Sequence, residues 1–196
     1  VGGSRTVQIF DVHGSGEIVV QNRFLPGTTL GPEPPRFGTD LILPADFDRV
    51  EWFGRGPHEN YRDRRTSAFI GRYSCRVEEM HHPYVRPQEN GNRTGVRWVT
   101  LRNAGGYGLK AVGEVPLEVS AHHYLTSDLD PGNEKAGRHD PDIPRRDLVH
   151  LRLDYGQMGV GGDTSWGDRA RPHPEYLIPL APLTFSYRLI PLAPGH

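Results

Sequence analysis

Residues 183–190, LTFSYRLI, alternate without a break. Leu183, Phe185, Tyr187 and Leu189 share one parity, and Thr184, Ser186 and Arg188 the other. Side chains of an extended chain point to opposite faces in turn, so this string has one apolar and one polar face, the mark of a half-buried β-strand. VHLRLDY (149–155) repeats the pattern, with Val149, Leu151, Leu153 and Tyr155 set against His150, Arg152 and Asp154. RTVQIFDV, GEIVVQNRF, FDRVEWF and TGVRWVTLR follow the same period. Some of these carry apolar groups on both faces and are expected to be covered on both sides.

What separates these strings excludes a helical protein. The 24 Gly and 18 Pro concentrate in stretches such as LPGTTLGPEPPRFG, FGRGPHENYRD, RPQENGNR and RARPHPEY, and neither residue is tolerated well inside helices. Short strands punctuated in this way predict an all-β, antiparallel sandwich, and 196 residues suit one domain spanning 1–196. Only SAFIGRYSCRVEEM (67–80) reads as a short helix, with Gly71 weakening it. The polar stretch 127–146 is expected to be a long, mobile surface loop.

A formal charge of −1 leaves no bulk field for nucleic acid or an acidic membrane. There is no apolar run long enough to span a bilayer and no leader-like opening. Cys75, the only cysteine, permits no internal disulfide and points weakly to a reducing compartment. The chain opens VGGSRTVQ, without Met, and reads as an excerpt from a longer polypeptide.

Motifs for self-sufficient catalysis are missing: no HExxH, P-loop or GxSxG occurs. His81-His82 and His122-His123 suggest metal ligands, but neighbours in a strand face opposite ways, so the expectation is one inward, hydrogen-bonded ring with the other at the surface. In ENYRDRR, Glu59, Asp63, Arg62, Arg64 and Arg65 are expected to lock a loop through ion pairs. Trp52 and Trp98 sit in alternating strings and are expected in the core. Trp166 differs. In GGDTSWGD it stands among glycines and acids, so from the residues alone it is either a sugar-stacking platform or an anchor folded over the core.

Three stretches, EWFGRGPHENYRDR (51–64), HPYVRPQENGNRTGVRW (82–98) and QMGVGGDTSW (157–166), together resemble the carboxy-terminal domain of lac-type bacterial β-galactosidases of glycoside hydrolase family 2. The resemblance covers about residues 36 to 192. It implies a supersandwich of the galactose mutarotase-like type, incomplete at its N-terminal end, with a free sheet edge there inviting self-association. It further implies retaining hydrolysis of terminal β-D-galactosides such as lactose, with no catalytic glutamate in this chain. Catalytic glutamates and Mg and Na ligands would lie on an upstream barrel. Trp166 would be the substrate-binding residue on the glucose side, with Gly161, Gly162 and Asp163 shaping its loop. Other domains of the same enzyme, a homo-oligomer and a cytoplasmic location are implied as well. This sequence has Arg62 where the family often has Pro, so charge is expected to pin that turn. Two alternatives are a free-standing mutarotase using His58, His82, His122 or Glu89, and a non-catalytic carbohydrate-binding or assembly module.

Overall fold

A computed structural model describes residues 3–28, 31–132 and 137–195. It contains nine strands: β1 (Arg5–Val12), β2 (Ile18–Leu25), β3 (Arg36–Leu43), β4 (Arg49–Gly56), β5 (Phe69–Arg76), β6 (Arg93–Arg102), β7 (Gly108–His122), β8 (Val149–Gln157) and β9 (Leu183–Leu192). Two one-turn helices, α1 (Val77–Met80) and α2 (Thr126–Leu129), complete the longer elements. The protein is all-β and every strand pairing is antiparallel.

The strand order is β1-β2-β9-β7-β6-β4-β5, and β7 makes the architecture. Along one edge its first part, Gly108 to Gly113, pairs with β9, and its last part, Glu118 to His122, pairs with β8. The change of partner falls at Glu114–Val115–Pro116, where proline has no amide hydrogen to give a ladder. β6 stays alongside but its register shifts between Arg93 and Trp98. β8 then carries β3 into a second layer over β2 and β9. There Phe37 of β3 meets Phe185 of β9 edge to face at 5.3 Å and Phe24 of β2 at 5.7 Å. The result is a sandwich folded from one continuous, unclosed sheet.

Period two placed six strands, and the inward residues of β9 are the expected ones: Leu183, Phe185, Tyr187 and Leu189 are buried. β8 departs from the half-buried reading. Its polar parity is as buried as its apolar one, with His150, Arg152 and Asp154 at 3%, 1% and 1% exposure. Ion pairs meet part of that face, Arg152 reaching Glu89 at 2.8 Å and Asp154 reaching Arg36 at 3.1 Å, while Arg152 Nε and Asp154 Oδ1 are left without a hydrogen-bond partner among the described residues.

The stretch read as a helix is mostly strand, because β5 pairs with β4 from Phe69 to Arg76 and leaves only four residues to α1. Trp98 is not core either. It is partly exposed on the outer face, with Lys110 and Arg72 over its ring at 5.0 and 5.7 Å. Trp52 is buried at 2%, its indole N–H donating to the Arg55 carbonyl. The 127–146 stretch is clasped at its ends: Arg146 donates twice to Asp128, each at 2.5 Å, and Asp128 caps the Leu125 amide. Residues 133–136 of that stretch lie outside the described residues.

Candidate functional site

Two of the singled-out strings interlock first. Asn60 and Asn92 exchange hydrogen bonds, the Asn60 amide to the Asn92 carbonyl at 2.8 Å and the Asn92 side-chain amide to the Asn60 carbonyl at 3.1 Å. Thr94 donates its amide and hydroxyl to the Asn60 side chain. Glu59 accepts from Arg64 at 2.6 Å, from the Gly91 amide at 2.7 Å and from the Tyr84 hydroxyl. Gly91 is required there: its φ is +76°, and a Cβ would stand 2.5 Å from the His122 ring. Burial raises the Tyr84 phenol, and its bond to Glu59 adds to the effect.

The ion pairs of ENYRDRR reach further than a local lock. Arg64 does pair with Glu59 inside the string. Arg62 leaves it, donating to Glu118 at 2.9 Å, and Glu118 also accepts from Asn92 and from the Gln157 amide. Charge therefore pins the turn at Arg62. Glu118 is 5% exposed, so every one of those donors supports a buried carboxylate that would otherwise be costly.

Asp63 makes the link that matters most for Trp166. Its Oδ2 accepts the amides of Val160 and Gly161 at 2.8 and 2.9 Å. The 159–176 segment is thereby held where it leaves β8, and the Gly159 amide closes its base on the Tyr176 carbonyl at 2.9 Å. Gly162 passes beneath the returning chain so closely that a Cβ would lie 2.3 Å from the Arg169 carbonyl and 2.5 Å from that of Arg171. Asp163 binds His173 at 2.8 Å, with Arg169 at 3.8 Å. That hydrogen bond to Asp163 raises the His173 imidazole above its ordinary value, Glu175 adding to it.

Trp166 stands at the far end of this braced loop. It is 84% exposed, its backbone is extended, and its amide and carbonyl both meet the Thr164 hydroxyl, at 3.3 and 3.2 Å. The anchor reading fails on this exposure, since an anchor would bury the indole. Gly161 and Gly162 line a cleft of about 440 Å³ with Asp63, Arg64, Val160, His173, Glu175 and Tyr176, and Trp166 is not in its wall. A larger groove of about 940 Å³, on the outer face of β2, β9 and β7, shares no residue with it.

The paired histidines are engaged in contacts within the fold. His122 and His123 are both buried, which corrects the expectation of a surface ring. They take different backbone partners, Asn90 and Leu148. Burial holds His122 well below the ordinary imidazole value. His81 is tied to Asp140 at 2.6 Å, while His82 lies against Tyr84. His58 and His82 share a cleft of about 810 Å³ with Glu59, whereas Glu89 is held elsewhere by Arg152 and Tyr61. The four mutarotase nominees are therefore not brought to one place. Among the described residues no group of three or more His, Cys, Asp or Glu is gathered for a metal ion.

Residues 2–189 match the family of the β-galactosidase small chain. The chain belongs to that family. It is also similar to the β-galactosidases of Priestia megaterium, 40% identical over 169 residues and 86% of this chain, and of Halalkalibacterium halodurans, 39% identical over 153 residues and 78%. The similarity to the Vibrio cholerae β-galactosidase is 41% over 147 residues, or 75% of the chain. The chain spans only 16%, 14% and 13% of those three relatives.

Within this β-galactosidase small-chain domain, the sequence carries no local signal of the bonds that Asp63, Glu118 and His173 make. Asp63 was grouped with its neighbouring arginines, but its partners are 97 and 98 residues away. His173 sits in the proline-rich RPHPEY punctuation, and nothing local marks it as the brace of a loop ten residues earlier.

Proposed function

We propose that residues 1–196 form part of the carboxy-terminal β-sandwich domain of a β-galactosidase that hydrolyses terminal β-D-galactosides such as lactose with retention, through a covalent galactosyl intermediate. In this reading the chain supplies one wall of the active site. Trp166 offers its face to the sugar on the glucose side, and Gly161, Gly162 and Asp163 fix the loop that carries it. The catalytic glutamates, and the residues holding Mg and Na, belong to other parts of the enzyme. Contacts with the enzyme's other domains, a homo-oligomeric assembly and a cytoplasmic location complete the proposal. Among the described residues no helix is long and apolar enough to cross a membrane.

The exposure of Trp166 carries the reading. An indole left 84% in solvent stabilises no core, yet its loop is braced at base and middle. Such a platform suits the C–H face of a sugar ring. A single wall cannot enclose one, so the isolated chain should bind galactosides weakly and turn over none.

Trp166→Ala in the full-length enzyme tests the reading. Burying an indole against substrate is worth about 1 to 3 kcal/mol, so KM for lactose should rise accordingly. An unchanged KM would remove Trp166 from the site, and turnover of an aryl β-galactoside by the isolated chain would overturn the division of labour.

A further inference from the structure

We propose that His173 is a positioning residue for Trp166, acting through Asp163 as a pH-dependent brace across the loop. This rests on the reading of Trp166 as a sugar contact. Nothing about the indole itself fixes it: its ring is exposed, and its backbone meets the neighbouring Thr164 hydroxyl and caps the Gly167–Ala170 turn. Its place is set by what holds the two limbs of the loop together. Asp63 holds the outgoing limb at Val160 and Gly161, and the Thr164 amide reaches the Arg169 carbonyl at 3.3 Å. The Asp163–His173 contact at 2.8 Å joins the limbs by side chains, three residues before the indole. His173 is itself set at the start of the Pro174–Tyr176 turn, whose Tyr176 amide returns to the His173 carbonyl at 2.9 Å. A change at this ring therefore passes to the limb that carries Trp166.

The charged surroundings decide the direction of the pH effect. Asp163 and Glu175 favour the imidazolium, and Arg169 competes for Asp163 from 3.8 Å. Asp63, Arg64 and Tyr176 share the cleft wall with His173, Asp63 committed to two amides and Arg64 to Glu59. With its pKa raised in the folded loop, His173 contributes its full ion pair below the ordinary imidazole range. The ion-pair part is lost as pH rises through the raised value, leaving a neutral hydrogen bond.

The experiment uses the full-length enzyme and compares wild type, His173→Ala, His173→Gln and Trp166→Ala from about pH 6 to about pH 8.5. Two readouts are taken: KM and kcat for lactose, and amide hydrogen exchange across residues 160–168. In wild type, KM should rise with pH while kcat changes less. His173→Ala should raise KM at the acid end by about two- to fivefold and speed exchange by a similar factor. His173→Gln keeps a donor for Asp163 without a titrating group, so its KM should lie between the two and lose the pH drift. Unchanged exchange and unchanged KM in His173→Ala would overturn the brace. Faster exchange with no KM change in either His173→Ala or Trp166→Ala would instead retain the brace and reject the sugar contact.

Discussion

The Asp63 carboxylate accepts the Gly161 amide hydrogen at 2.9 Å across 98 residues of chain. One oxygen also takes the Val160 amide, so a loop between β4 and β5 fixes the direction in which the chain leaves β8. The Trp166 loop is in this sense held by the ENYRDR string as much as by its own glycines.

Removing that carboxylate should loosen the Trp166 loop without unfolding the domain. Asp63→Ala leaves two amides to solvent, and a hydrogen bond to a charged group is worth about 1.5 to 3 kcal/mol. Hydrogen exchange at Val160 and Gly161 should accelerate at least about tenfold, while exchange in β4 and β6 stays unchanged. Protection that survives the substitution would show that the loop is held by other contacts.

Glu118 behaves differently because it is buried. Glu118→Ala strands Arg62, the Asn92 side-chain amide and the Gln157 amide together. Breaking one partner of a buried pair costs about 3 to 5 kcal/mol, which a urea unfolding curve would resolve. Glu118→Gln restores the shape and should recover only part of the loss, since the amide has a single accepting oxygen.

The two extreme tryptophans should separate stability from recognition. Trp52→Ala empties a buried site and should destabilise by about 3 to 5 kcal/mol. Trp166→Ala, at 84% exposure, should stay within about 0.5 kcal/mol of wild type. Iodide quenching offers an independent check: a variant retaining only Trp166 should be quenched readily, and one retaining only Trp52 should resist.

His122 gives the fold an acid-side weakness. Its folded pKa lies well below the ordinary imidazole value because the ring is buried, with Arg152 and His81 adding to the effect. The unfolded chain therefore binds a proton that the folded chain refuses. Stability is complete above the unfolded value, about 6.5, and falls as pH drops below it toward the depressed folded value. Thermal melting of His122→Gln against wild type should show a shallower decline on the acid side.

Strand identity was largely legible because it rests on local parity. β8 and β9 announce themselves through residues two apart, and turns through Gly and Pro. SAFIGRYSCRVEEM was misread because its apolar spacing admits either period, and only pairing with β4 decides for a strand. Trp98 was misread for a related reason: a strand with apolar groups on both faces does not say which face turns inward.

The sequence by itself determined an antiparallel all-β chain, its main strands and an unusual tryptophan in a glycine-rich loop. These follow from short-range sterics and from where apolar side chains recur. Only the tertiary structure decided that the polar face of β8 is buried, that Arg62 ends on Glu118, and that Asp63 and His173 hold the Trp166 loop. Those outcomes depend on the partner switch along β7 and the layer it folds over. Arg62–Glu118 and Asp63–Gly161 join groups 56 and 98 residues apart, and no local pattern encodes which of them will meet.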